Sequence, residues 1–386
     1  MPTPTHAAYN YIVYRTFDST NGELFHAEHS DGTPLPGTPQ PTPDPVIQTA
    51  LDQLFLGGPN QKGPGHVYIQ TADPDVYHLS ASFTGFNVSS FTRITMDPTT
   101  ILSVPSAYTG PVFHLRATDQ DPIQGKVEVR DSIIDGGRIR QDSNQCIGIL
   151  LENAAITITS SGNPTPGVFF NKIMNTVIEG TAIGIQLSVT GPGGWINSNS
   201  FQSVKMYSCG VFIDFAIPDG FYPHPQPGQG ANGQLGMHFN HFDDVQCQSQ
   251  NGITVAGVQN IRHIGNMFVD VKIWDIPDGA LSSNIHSDAT NTLILGGILT
   301  DSFQDDGQFT KIFDLYQGLK VGSDTAIPAA TRIGTSPPEL LAFFGNTPVP
   351  QQPGSASGGT AGNSYGATEQ DMLNAVYQAL QAYGLI

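Results

Sequence analysis

The chain has 386 residues, and its 15 Lys and Arg residues against 33 Asp and Glu residues give a formal net charge of −18. A surface this acidic repels nucleic acid and anionic membranes. We therefore expect no nucleic-acid partner and no membrane insertion. The 43 glycines, 29 prolines and only 12% charged residues are typical of short strands joined by many tight turns, and they argue against long helices.

Residues 1–45 contain two aromatic, strand-like runs and a proline-rich stretch. We interpret this part as a small head or attachment segment followed by an extended linker. Residues 46–55 have apolar side chains at helical spacing and are followed by Gly57 and Gly58, which predicts a short amphipathic helix.

The middle of the chain repeats two short phrases. The pattern G-[I/V]-x-[L/I/V]-x occurs at 148–152, 184–188, 210–214 and 252–256. The pattern N-x-F-x-[S/D]-V occurs at 199–204, 240–245 and 266–271. Apolar residues alternate in these phrases with the period of a strand that has one buried face. Such short strands bury that face only by stacking on further copies, which predicts an all-β fold, a right-handed single-stranded parallel β-helix over residues 46–330. The helix predicted before it would then cap the first coil, where strand edges and core would otherwise be exposed.

Residues 331–386 form a C-terminal tail of different character. A Gly/Ser-rich linker at 353–366 precedes a predicted helix at 368–383, with Thr368 as its N-cap. Its apolar stripe consists of Met372, Leu373, Val376, Leu380 and Tyr383. A helix this short is marginal alone, so we expect it to dock, either on another copy of the chain or on its own β-helix.

Two stretches resemble known proteins. A V-I-Q-x-A-L-D helix, a G-x-V-Y-I strand and the repeated coils over 46–300 resemble the pectate-lyase-like β-helix superfamily, whose members include lyases, hydrolases, epimerases and non-catalytic spikes. R-I-G-T-S from Arg332, followed by L-L-A-F-F-G-N-T-P-V-P-Q-Q, resembles the C-terminal segment of many bacteriophage tail spike and tail fibre proteins. The second resemblance implies a homotrimer in the virion tail. Residues 1–6 have no charged start followed by an apolar run, so we expect the chain to be made in the host cytoplasm without a signal peptide. Such a protein contacts other tail proteins and recognises a bacterial surface polysaccharide.

Aligning the glycines of the first phrase places Glu152, Ser188 and Asp214 in one outward column. Glu152 and Asp214 would then lie two rungs apart, about 9 to 10 Å at the backbone. An inverting glycosidase holds its two carboxylates roughly 6.5–9.5 Å apart. Glu152 and Asp214 are therefore the candidate catalytic residues if the protein is an enzyme. The alternatives to pure recognition are a polysaccharide depolymerase, hydrolase or lyase, and a non-viral pectate-lyase-like enzyme.

Five side chains in or near that column are candidates for contact with a glycan. They are Ser188, Gln186, Trp195, Tyr222 and His224. Aromatic rings stack on sugar rings, and loops on a rigid scaffold commonly carry function. The alternative is that loop aromatics only pack the loops.

A second acidic cluster contains Asp243, Asp270 and Asp275, together with Asp244 and Asp278. Asp244 and Asp270 align one rung apart, about 4.8 Å, which resembles the separation in a retaining glycosidase. Each also falls between two inward apolar residues, which favours a polar turn residue in the left-handed conformation. Hard oxygen ligands suit Ca²⁺, but no calcium-loop spacing occurs, so we predict no metal and no cofactor.

The cysteines and one column of asparagines have structural interpretations. An odd number of cysteines argues against a disulfide framework and predicts small buried residues. They are Cys146, Cys209 and Cys247. Asn199, Asn240 and Asn266 share one position of the second phrase, which predicts stacked side chains that satisfy backbone groups of a turn.

Overall fold

The structure is a computed structural model. It describes residues 9–54, 65–71, 75–121, 125–154, 167–190, 195–216, 236–249, 254, 256–262, 264–275, 281–286, 289, 291–296, 303–307, 310–314, 318–320, 340–341, 349–350, 371, 374–378 and 381.

These residues form short strands and two short helices. The first elements are β1 (Tyr11–Asp18), β2 (Gly22–His29), α1 (Pro43–Gln53), β3 (Gly65–Ile69), β4 (Val76–His78), β5 (Phe86–Asn87), β6 (Thr92–Ser103), β7 (Pro111–Asp121), β8 (Gly125–Val127), β9 (Val129–Arg130) and β10 (Ile133–Arg140). The middle elements are β11 (Ile147–Asn153), β12 (Gly167–Phe169), β13 (Lys172–Met174), β14 (Val177–Glu179), β15 (Ile183–Val189), β16 (Trp195–Asn197), β17 (Ser200–Gln202), β18 (Lys205–Tyr207), β19 (Val211–Ala216), β20 (Gly236–His238), β21 (His241–Asp243) and β22 (Gln246–Gln248). The last strands are β23 (Ala256–Ile261), β24 (Met267–Val269), β25 (Lys272–Trp274), β26 (Leu281–Ile285), β27 (Leu293–Leu295), β28 (Phe303–Asp305), β29 (Lys311–Asp314), β30 (Gly318–Lys320), β31 (Leu340–Leu341) and β32 (Val349–Pro350).

Most of these strands belong to three stacked, mainly parallel sheets. Sheet A has 17 strands, sheet B has nine, including β11, β15, β19 and β23, and sheet C consists of β9, β12, β16 and β20. The chain visits the sheets in turn. From β16 in sheet C it passes through β17 and β18 in sheet A and β19 in sheet B, and then β20 pairs with β16 in parallel. The predicted parallel β-helix is confirmed.

Inward side chains of successive coils stack to form the core. Phe201, Phe242 and Phe268 are in register, with ring centroids 4.5 Å and 5.0 Å apart and rings parallel to within 5°. Full burial of one phenylalanine side chain contributes about 1.5–3 kcal/mol. The phenylalanine of the N-x-F phrase is therefore a core residue.

The first coil is capped as predicted, although the helix starts earlier than its apolar pattern. Helix α1 begins at Pro43, whose ring suits a first helical turn, and buries Val46, Ile47 and Leu51. The preceding hairpin extends sheet A, because β1 pairs in parallel with β3.

The proline-rich stretch is bonded to the hairpin, where the sequence predicts an extended linker. The Leu35 N–H donates to the Ala27 carbonyl at 2.8 Å, and the Gln40 N–H donates to the Phe25 carbonyl at 2.9 Å. These bonds cover the outer edge of β2, which would otherwise offer unpaired groups to another chain. The division into three domains stays a prediction.

The cysteines behave as predicted. All three are free and buried. Burial raises the pKa of the Cys146 thiol to about 12 and that of Cys209 to about 11. They are therefore packing residues rather than reactive thiols.

The second helix is described at residues 371, 374–378 and 381, where its side chains are exposed, including Val376 and Tyr377. Met372, Leu373, Leu380 and Tyr383 of its predicted stripe lie outside the described residues. In the part of the chain that the structure describes, no helix has the length and apolarity to cross a membrane.

Candidate functional site

The predicted column of Glu152, Ser188 and Asp214 does not exist in the structure. Glu152 pairs with Ser188, as expected, but Asp214 pairs with Gln186, two residues earlier on the neighbouring strand. An alternating apolar pattern is unchanged by a shift of two residues, so the glycine alignment did not fix the register. Glu152 and Asp214 consequently lie in adjacent columns, about 11–12 Å apart at the backbone by strand geometry. The alignment in one column that suggested an inverting pair of carboxylates is therefore absent.

Glu152 is held in an ionised, fully bonded state. His114 Nε2 donates to its carboxylate at 2.8 Å, Thr190 Oγ1 donates at 3.0 Å, and Arg116 Nε lies 3.1 Å away. The His114 hydrogen bond is the largest of the effects that hold the pKa of Glu152 below its ordinary value, and burial opposes it. A carboxylate with a lowered pKa is a poor general acid, so its contacts favour a structural role.

Asp214 is bound by amides on the same outer face of sheet B. Gln186 Nε2 donates to Asp214 Oδ2 at 2.8 Å, and Asn260 Nδ2 approaches Oδ1 at 3.4 Å. The Asn284 side-chain oxygen accepts from the Asn260 N–H at 2.7 Å, so the polar row continues onto the next coil. With 9% exposure, Asp214 lies in a recessed row of amides.

The second acidic cluster consists mainly of turn residues. Asp244 and Asp270 have φ angles of 49° and 50°, and Asn175 and Ser203 at the same position have 54° and 51°. The turn interpretation is confirmed. Asp275 is also left-handed, at 56°, whereas Asp243 belongs to β21. In the described part of the chain, no group of three His, Cys, Asp or Glu side chains is placed to hold a metal ion.

The predicted column of Asn199, Asn240 and Asn266 is a continuous hydrogen-bonded ladder, which Asn171 extends by one coil. We call these four residues the asparagine ladder. Each Nδ2 of the first three donates to the next Oδ1, at 3.0, 3.0 and 3.1 Å. The same oxygens accept the preceding ladder residue's backbone N–H, and all four side chains are fully buried. The ladder fixes the register of the turn between sheets C and A.

The residue before each ladder asparagine has a left-handed backbone, as do the aligned residues of three further coils, and the sequence did not predict this. We call this column the aromatic corner. It consists of Phe91, Asp131, Phe170, Ser198, Phe239, Gly265 and Asn291, with φ between 53° and 67°. Phenylalanine is rare in this conformation, because its Cβ crowds the backbone. Phe170 and Phe239 are 54% and 56% exposed. The signal in the sequence is the residue that precedes each asparagine of the repeat.

Sheet C adds further rings beside this corner. Phe169, Asn197 and His238 are in register on its outer side, following Arg130 on the preceding coil. The Arg130 guanidinium lies 5.2 Å from the Phe91 ring centroid and 5.9 Å from that of Phe169. These contacts keep the rings of the corner and of the sheet close together.

Trp195 belongs to this surface and not to the sheet B column where it was predicted. Its ring centroid lies 6.2 Å from that of Phe169. The indole Nε1 is buried and has no hydrogen-bond partner among the described residues. Tyr222 and His224, the two other predicted aromatic contacts, lie outside the described residues.

Comparison with solved structures finds distant likeness only. An ORF18 protein of Geobacillus virus E2 is 12% identical with a TM-score of 0.31, over 64% of this chain and 53% of that one. This chain thus spans about half of that protein. A mutant tailspike protein of the E. coli bacteriophage HK620, in complex with pentasaccharide, is 10% identical with a TM-score of 0.22, over 81% of each chain.

A Family 28 exopolygalacturonase of Yersinia enterocolitica is 10% identical with a TM-score of 0.16, over 78% of this chain and 84% of that one. No protein-family model matches the chain, and no curated protein is similar to it in sequence. The fold and the surface described above define the chain as a parallel β-helix protein with an aromatic side face.

Proposed function

We propose that this protein recognises a bacterial surface polysaccharide through the side of its β-helix, as a bacteriophage tail spike or tail fibre protein. The observation that carries the proposal is the aromatic surface formed by sheet C and the aromatic corner. Exposed rings on an otherwise polar, rigid scaffold mark a contact surface, and those of the corner occupy a strained backbone conformation.

The chemistry of this surface suits a sugar. The C–H face of a pyranose stacks on an aromatic ring, while its hydroxyls need neighbouring donors and acceptors. Asn197 lies in the same column as Phe169, is partly exposed and can supply them. The net charge of −18 favours a neutral glycan over a polyanionic one, because like charges repel.

The place in a virion is the less direct part of the proposal. It rests on the C-terminal phrase that resembles tail fibre and tail spike proteins, most of which lies outside the described residues. From it we propose a homotrimer that attaches to other tail proteins and meets the polysaccharide outside the host cell. Light scattering after size-exclusion chromatography tests the trimer, and a monomer would exclude it.

Binding is tested on an array of bacterial O-antigen and capsular polysaccharides. We expect the intact chain to bind at least one of them, and Phe169→Ala and Trp195→Ala to weaken that binding. Phe17→Ala is the matched control, since Phe17 is 79% exposed on the N-terminal hairpin, away from sheet C. Absence of binding to every polysaccharide, or an equal loss in the control, would contradict the proposal. A fall in polymer size during incubation would show the depolymerase alternative.

A further inference from the structure

The rings of the aromatic corner occur on alternate coils. In coil order the corner residues are Phe91, Asp131, Phe170, Ser198, Phe239, Gly265 and Asn291. Phenylalanine therefore occupies the first, third and fifth of these positions, and each intervening residue is small or polar. Because neighbouring coils are about 4.8 Å apart, the rings recur about every 10 Å along the axis.

The backbone fixes this spacing. The corner N–H groups of Phe91, Ser198 and Phe239 donate to carbonyls of the following coil at 2.8, 3.0 and 3.0 Å. The buried asparagine ladder follows directly in sequence and locks the coils in register. The aromatic side chains are therefore held at fixed positions along the β-helix axis, separated by whole numbers of coils.

The intervening positions make room for the rings. A Cβ on Gly265 would come within 2.7 Å of the Phe239 ring, so glycine lets that ring lie over the next coil. Asp131 lies between Phe91 and Phe170, and Ser198 lies between Phe170 and Phe239. The three phenylalanines of the corner therefore alternate along the axis with small or polar residues.

This arrangement fits a glycan better than a protein partner. The centre of a protein interface is usually a continuous apolar area with few charges, and here a carboxylate separates two rings. In an extended polysaccharide, one sugar residue advances by about the rise of one coil. Rings two coils apart then meet every second sugar, and the small polar residues between them face the others.

We infer that the aromatic corner binds a linear polysaccharide lying along the β-helix axis, with the exposed Phe170 and Phe239 stacking on alternate sugars. The inference rests on the proposed recognition of a polysaccharide and specifies it. It assigns a direction to the bound chain and a two-sugar period to the contacts.

The test uses the polysaccharide found on the array, cut into oligosaccharides of two to eight sugars and titrated calorimetrically into the intact chain. We expect affinity to rise in steps of two sugars. Phe170→Asn and Phe239→Asn should each weaken binding about three- to tenfold, the loss expected for one stacking contact. Asparagine tolerates the left-handed backbone, so both variants should fold. Phe17→Asn is the control and should bind as the unmodified chain does.

A double variant, Ser198→Phe with Phe239→Asn, moves one ring by one coil without changing the number of rings. We expect it to bind no better than Phe239→Asn alone. Recovery of binding, a rise in affinity with each single sugar, or unchanged binding by the single variants would overturn the inference while leaving polysaccharide recognition intact. A changed oligomeric state in the phenylalanine variants would instead identify the corner as a contact between copies. If the unmodified chain binds no polysaccharide, the proposed function itself fails.

Discussion

The asparagine ladder and the outer face of sheet B are both repeated polar surfaces, yet only the ladder follows from its sequence phrase. The N-x-F phrase aligns Asn199, Asn240 and Asn266 as the structure does. The glycine phrase aligns Asp214 with Ser188, whereas the structure pairs it with Gln186. A repeated sequence pattern determines the register of neighbouring coils where it contains a residue with one specific structural role, such as a buried amide. Alternating apolar residues alone leave a shift of two open.

The largest loss of stability is expected when the asparagine ladder is interrupted. Asn199→Ala removes the oxygen that accepts from Asn171 and the amide that donates to the Val168 carbonyl. Several buried polar groups then lose their partners, so we expect the free energy of unfolding to fall by about 3–4 kcal/mol. Urea denaturation followed by circular dichroism measures the change.

Ser200→Ala is the matched control, one residue further along the chain. Ser200 Oγ is buried without a hydrogen-bond partner among the described residues, so its loss should change stability by less than about 0.5 kcal/mol. Equal effects of the two substitutions would show that the ladder contributes no more than an ordinary turn.

The sequence predicts the parts of this molecule that a local rule determines. The capping helix, the inward phenylalanines, the buried cysteines and the left-handed Asp244 and Asp270 all follow from periodicity or turn chemistry. The proline-rich edge does not, because its bonds to β2 join residues with no local pattern in common. The aromatic corner was not predicted, because phenylalanine is disfavoured in the left-handed conformation.

A smaller effect is expected on sheet B, and it depends on pH. The contacts of Glu152 with His114 and Arg116 hold its pKa below the ordinary value. Their contribution to stability is therefore complete above the ordinary glutamate pKa, about 4.3, and is lost as the pH falls through the lowered pKa of the folded state. Glu152→Gln should lower the free energy of unfolding by about 1–2 kcal/mol at neutral pH. It should leave that free energy unchanged at low pH, where the Glu152 carboxyl is protonated.

Thermal unfolding of both proteins between pH 3 and pH 7 measures this difference. Asp142→Asn is the control, because Asp142 is 79% exposed in its pair with Arg140 and exposed pairs contribute little. A constant difference between Glu152→Gln and the unmodified chain across the pH range would mean that the lost stability comes from packing and not from the charge.

The smallest expected effect is a gain in stability, and it concerns Phe239 in the aromatic corner. Phe239 has a φ of 53° and is 56% exposed, so its backbone is strained while its ring gains little from burial. Phe239→Asn relieves that strain and should raise the free energy of unfolding by up to about 1 kcal/mol. Phe17→Asn, the same exchange at an exposed strand position, should give no such gain, because asparagine is disfavoured in strands. Differential scanning calorimetry compares the two variants.

A stability gain at Phe239 together with weaker polysaccharide binding would show that the ring is kept at that position for contact and not for folding. A loss of stability at Phe239 would mean that its ring supports the fold, and the corner would then be a structural element like the asparagine ladder beside it.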